Sequence, residues 1–300
     1  MIGNLLASLT STSAAAEQGR DFDISEMILH HLADSKEWEA PWGTVHLPQF
    51  EPVHLGPITL DFSITKHVLF MAISALMVMI LLILAGMDAK REHRAGAKRG
   101  PKGAANVVEA FILYLRDEVA LKNIGHGGEK YVPYIVTVFF FILFCNLLGL
   151  LPWGASPTGN VSVTAALALM TFIIVEVTGM RSLGAAGYAK TIFFVPHGVP
   201  TAMKPLMLLI FTPVELIGKL TKPFALTIRL YANMTAGHAV VLAFTGMLVM
   251  AGIAGTVWVA PAPVLMAIGI LMLEVFVAFL QAYIFAMLSS VFIGLIRHAH

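Results

Sequence analysis

Between Pro223 and Ile296 the sequence carries two formally charged residues, Arg229 and Glu274, together with one histidine, His238. Charge inside an apolar segment costs several kcal/mol on any scale, so such groups usually face a protein interior or a water-filled cavity. Their chemistries differ. An imidazole and a carboxylate can each titrate near neutral pH when each tunes the other, which suits a proton relay. A guanidinium stays protonated at every relevant pH and relays nothing. It can hold a carboxylate ionised, or stop a proton from passing straight through. Read this way, His238 and Glu274 form a relay that ends at a fixed cation. A static buried ion pair that fixes two helices is the competing reading of the same two residues. Snorkelling to a headgroup layer is the alternative for Arg229, whereas Glu274 is too short to reach from eleven residues past Pro263.

These residues need long apolar helices to position them. The chain has 300 residues, 58% hydrophobic and 12% charged, about half the charge density of a soluble domain. Apolar runs cover 67–87, 132–152, 161–180, 205–250 (interrupted near Lys219 to Pro223) and 264–296. About 20 apolar residues cross a bilayer, so each run is long enough. The last two exceed that length and predict tilted or protruding helices. The expected fold is therefore an all-α integral membrane protein with five transmembrane helices, the last two forming a long antiparallel hairpin. In such a hairpin, residues at equal depth have a nearly constant sum of positions. Arg229 with Gln281, and His238 with Glu274, satisfy this condition. The His238 level lies about 13 Å nearer the hairpin loop than Arg229, at 1.5 Å per residue. Asn233 follows Arg229 by one turn and shares its face.

Lysine and arginine counts set the orientation. Lys90, Arg91, Arg94, Lys98, Arg99 and Lys102 follow the first run, and Arg181, Lys190 and Lys204 follow the third. The connectors 152–160 and 251–263 carry neither residue type. The arrangement predicts the N-terminus outside and the C-terminus inside. Residues 1–66 then form an extracytoplasmic segment, with Ser25 capping a short amphipathic helix. The first residues lack the basic start of a signal peptide. Between the first two runs, Val107, Val108, Phe111, Ile112, Leu115 and Val119 fall on one face of a helix at about 104–124. That helix lies on the inner surface or packs on another protein, and the two readings are compatible. Glu215 and Glu176 fall toward the inner side. Glu215 either accepts protons or pairs with Lys219 at i+4; Glu176 reads as structural. The single cysteine, Cys145, precludes a disulfide within the chain. A net charge of +1 argues against nucleic acid. No Gly-rich nucleotide loop or metal-ligand cluster stands out, so no cofactor or metal is expected.

The stretches "TKPFALTIRLYANMTAGH" and "FLQAYIFAMLSSVFIGL" resemble subunit a of the F-type ATP synthase, the stator half of its Fo membrane motor. The signature is an arginine followed by an aromatic or leucine pair, then Asn and Ala-Gly, here Arg229, Leu230–Tyr231, Asn233 and Ala236–Gly237. A second signature runs from Gln281 to Phe285. "NLLGLLPWGASPTGNVSVTAALAL" resembles the family's middle segment, and "HHL" near residue 30 its N-terminal one. The resemblance implies that Arg229 faces a carboxylate on a ring of c subunits, with Gln281 as its neighbour and Asn233 lining the path. It implies His238 and Glu274 as the outer half-channel pair, in the reverse order to some members, and Glu215 in the inner half-channel. Ala225 stands where some relatives carry a polar residue. The implied partners are the c ring, b-type peripheral stalk subunits, the rest of the F-type enzyme and the lipid bilayer of a bacterial inner membrane. The chain would translocate ions without making a phosphate bond itself.

Overall fold

A computed structural model describes residues 33–40, 42–55, 58–61, 63–95, 104–151, 153–193, 203–253 and 261–298. The expected helix after Ser25 and the first residues lie outside these. The chain divides into two units, one of Met1–Ala33 and Ala236–Met272, the other of Asp34–Thr235 and Leu273–His300. Among the described residues, six helices of eleven residues or more follow in order: α1 (Lys66–Ala95), α2 (Ala104–Tyr114), α3 (Val132–Gly149), α4 (Val161–Ile192), α5 (Lys204–Ile253) and α6 (Pro261–Arg297). Among the described residues, four segments are long and apolar enough to cross a membrane: Lys66–Met87, Glu129–Gly149, Val161–Ile192 and Pro261–Arg297. The chain is thus an all-α membrane protein in its helical part. The 50-residue α5 is more than twice the spanning length.

Two of these helices owe their course to particular residues. The expected span 205–250, whose apolar run is interrupted near Lys219 to Pro223, is one continuous helix, because α5 runs through both Pro213 and Pro223. A membrane helix tolerates the loss of a proline's N–H when neighbouring groups re-satisfy the backbone. In α4 the opposite happens: Gly184 adopts φ 71° and ψ 167° and breaks the helix. Only glycine takes that conformation without a Cβ penalty. The break turns the last part of α4 back and brings Tyr188 against Gly179, where an added Cβ would lie 3.3 Å from the Tyr188 ring.

The amphipathic segment forms as expected but changes pitch. Beyond Tyr114, α2 continues as a π-helical segment, Leu115–Leu121, and a last turn, Lys122–Ile124. The wider turn brings Leu115, Val119, Ala120 and Ile124 onto one fully buried face. Val107, expected on the apolar face, is 64% exposed. Phe111 stacks on Phe139 of α3 with centroids 5.4 Å apart. On the opposite face Lys122 pairs with Glu118 at 2.8 Å, and that carboxylate holds the ammonium pKa above its usual value.

Two short hairpins in the N-terminal segment were not legible from periodicity. Strands β1 (Glu37–Ala40) and β2 (Gly43–His46) pair antiparallel, as do β3 (Val53–Leu55) and β4 (Ile58–Leu60). Trp38 and Val45 are paired, and Trp38 anchors the first hairpin. Its indole N–H donates to the Trp153 carbonyl at 2.8 Å, and its ring meets Phe70 of α1 edge-on at 5.7 Å. The Asp34 carboxylate accepts from the His67 backbone N–H at 3.3 Å and lies 3.0 Å from its Nδ1.

Behind Trp153, the connector expected as an outer loop is buried. Ala155, Ser156, Pro157 and Thr158 all lie in the interior. The Thr158 hydroxyl donates to Asn146 Oδ1 at 2.6 Å and lies 2.8 Å from Ser156 Oγ, while Asn146 Nδ2 donates to the Ala278 carbonyl of α6 at 3.4 Å. Gly149 makes room for this, since a Cβ there would sit 2.4 Å from Ser156 Cβ. At the far end of α6, Arg297 donates to the His126 carbonyl at 2.6 Å. Gly294 meets Asn123 so closely that an added Cβ would be 2.1 Å from its carbonyl oxygen. α6 is therefore fixed at two points along the second unit.

Two substitutions test these fixings by thermal unfolding in detergent. Gly294→Ala should cost about 1–3 kcal/mol through overpacking, whereas Gly86→Ala, with nothing within 4 Å of the new methyl, should cost nothing. Thr158→Val should cost about 1–3 kcal/mol, because it leaves the buried Asn146 acceptor without its donor.

Candidate functional site

The α5 sequence around Arg229 divides into two faces. Leu226, Leu230 and Met234 are buried against the rest of the second unit, as is Thr227. Ala225, Arg229 and Asn233, spaced by four, are exposed. On α6, Gln281 and Phe285 are buried beside this region. Gln281 Nε2 donates to the Arg229 carbonyl at 3.5 Å. Arg229, Gln281, Leu226, Leu230, Ile284 and Phe285 line a cleft of about 10 Å³, which admits about one water. Gln281 Oε1 is buried there without a hydrogen-bond partner among the described residues. The guanidinium therefore sits on an exposed helix face, flanked by Asn233 one turn on and backed by a buried amide.

A second polar site opens on the other side of Leu226. A cavity of about 200 Å³ lies between α4, α5 and α6. Its polar lining is Glu176, Thr191 and Thr171 of α4 with Glu215, Lys219 and Lys222 of α5. Lys219 does not turn to Glu215 on its own helix. It pairs with Glu176 at 3.3 Å, their side chains 8% and 15% exposed. Its ammonium also donates to the Tyr188 hydroxyl at 3.1 Å and lies 4.3 Å from that ring's centroid. Lys222 lies 5.2 Å from the Phe292 ring centroid. Glu215 is exposed into the cavity and makes no ion pair among the described residues.

The remaining two candidates fall in different units. His238 is half-buried on the part of α5 that belongs to the first unit, and Glu274 is half-buried on the part of α6 that belongs to the second. Sequence reasoning gave Lys219 only as a partner for Glu215, and it missed Lys222 and Tyr188. The signal was present for the lysines, which stand as charges within an apolar run. It was absent for Tyr188, which reaches Lys219 only because the chain turns at Gly184. No group of three or more metal-ligating side chains occurs among the described residues.

Comparison with known proteins bears on what this arrangement serves. Residues 68–294 match the family described as ATP synthase A chain. ATP synthase subunit a of Myxococcus xanthus is 48% identical over 275 residues, covering 88% of this chain and 85% of that protein. ATP synthase subunit a 2 of Chlorobaculum tepidum is 43% identical over 273 residues, covering 90% and 72%. The subunit a of Pelodictyon phaeoclathratiforme is 41% identical over 297 residues, covering 98% and 82%. A match over most of the length, on apolar helices that hold an arginine and a glutamine side by side, places this multi-pass membrane protein in the ATP synthase A chain family.

Proposed function

We propose that the chain is the stator side of a rotary ion path, with two offset half-channels that pass protons to and from carboxylates on an adjacent c ring. The observation that carries this reading is the exposure of Arg229 and Asn233 on one face of α5, beside Gln281. A guanidinium facing hydrocarbon would be costly. A partner that offers a carboxylate at that level removes the cost and explains why a permanent cation is used.

The path follows from the chemistry of each group. A proton enters from outside past His238 and Glu274 and neutralises a ring carboxylate. The ring then carries the neutral carboxyl through lipid, where a charged one would be too costly. After nearly a full turn it meets the cavity lined by Glu215, releases its proton to the inside and, now charged, is held by Arg229. The attraction between guanidinium and carboxylate stops the proton from crossing directly. Gln281 and Asn233 keep the approach polar. Glu215 stands about 21 Å along α5 from Arg229, at 1.5 Å per residue, which supports an offset between entry and exit.

The same reading places residues 1–66 outside, residues 67–300 in the membrane with five spans, and the helix at 104–124 on the inner surface. The C-terminus then faces the cytoplasm of a bacterial cell, and b-type peripheral stalk subunits complete the stator.

Arg229→Ala in membrane vesicles should abolish ATP-driven proton pumping while soluble ATPase activity is retained; unchanged pumping contradicts the motor. For the outer half-channel, a cysteine at 238 or 274 should react with a membrane-impermeant thiol reagent from outside, and labelling of both only from the cytoplasm contradicts it. Exchanging His238 and Glu274 together should impair pumping less than either single loss, because the pair acts as a unit.

A further inference from the structure

Two carboxylates line the cavity between α4, α5 and α6, and they are not equivalent. Glu176 is bound to Lys219 at 3.3 Å, with both side chains largely out of solvent. Tyr188 covers the same ammonium through its hydroxyl at 3.1 Å and its ring at 4.3 Å. Protonating Glu176 would strand a buried ammonium without a counter-charge, which is the costly outcome for an ion pair removed from water. Glu215 has no such commitment among the described residues and is exposed into the cavity. The other charged group on the lining is Lys222, whose ammonium lies against Phe292.

We propose that Lys219 locks Glu176 into an ion pair and thereby leaves Glu215 as the one proton acceptor of this cavity. Lys219 is a positioning residue: it touches no transferred proton and acts by occupying Glu176. The inference rests on the half-channel reading given above. In the transfer step the ring carboxyl's O–H breaks as an O–H forms on Glu215. Glu215 then gives that proton to cavity water and returns to the carboxylate. Without the lock, a second carboxylate in the same cavity would exchange protons as well. Gly184 belongs to this device, since its positive φ turns Tyr188 back toward Lys219.

The test uses the whole ATP synthase in inverted membrane vesicles, with assembly checked by the amount of complex recovered. Glu215→Gln should lower ATP-driven pumping by about a hundredfold, the low end of what a positioned proton-transfer group contributes. Glu215→Gln with Lys219→Gln frees Glu176 and should recover at least about tenfold of that loss; adding Glu176→Gln should remove the recovery. A merely structural role for Lys219 predicts the reverse, with the double variant worse than Glu215→Gln. An assembled double variant that pumps no better than Glu215→Gln overturns the lock and leaves the half-channel standing. Wild-type pumping by Glu215→Gln alone overturns both. A second measurement needs no substitution. A carbodiimide adds to a carboxylic acid and spares a carboxylate, so peptide mass spectrometry of the native complex treated during ATP-driven pumping should find the adduct on Glu215, which takes the ring's proton in each transfer, and not on Glu176. Equal modification of the two overturns the proposal.

Discussion

A guanidinium cannot lose its proton, and an apolar slab cannot cheaply hold a charge; the structure around Arg229 is arranged around these two facts. Among the described residues no carboxylate pairs with Arg229. Its helix instead buries Leu226, Leu230 and Met234 and turns Arg229 and Asn233 outward. In the proposed motor, the ring carboxylate is the counter-charge that this exposed face meets.

Holding Arg229 in place falls to contacts well away from it. Gln281 of α6 meets the Arg229 carbonyl beside Ile284 and Phe285. α6 is in turn fixed near its middle by Asn146 and the buried Ser156–Thr158 connector, and at its end by Arg297 and the close contact at Gly294. A shift of α6 along its axis would break both fixings together. The polar cavity beyond Leu226 depends on a third element, the return of α4 after Gly184, which brings Tyr188 and Thr191 to the lysines of α5.

Much of the helical frame was legible because apolar length is a strong signal. The expected runs 67–87, 161–180, 205–250 and 264–296 each fall within a helix, 132–152 coincides with α3 as far as Gly149, and the constant-sum register put Arg229 beside Gln281. What escaped has physical reasons. Lys219 had a carboxylate four residues away on its own helix but pairs with Glu176 of α4, and Tyr188 reaches the same ammonium after a glycine kink that carries no periodic signal. The buried connector looked like a loop because Ser156, Pro157 and Thr158 are loop residues; only their mutual hydrogen bonds make burial affordable. The hairpins at 37–46 and 53–60 have strands of three or four residues, too short for alternation to stand out. The π-helical stretch after Tyr114 changes register without changing composition.

The central claim is that the exposed face of Arg229 and Asn233 meets the ring carboxylate. Disulfide cross-linking in native membranes reads this contact directly. A cysteine at Asn233 paired with one beside the ring carboxylate should cross-link on oxidation and stop ATP-driven rotation until it is reduced. Phe224 lies on the far side of α5 from Asn233 and is 66% exposed. Cross-linking to the ring from a cysteine at 224, with none from 233, would contradict the account.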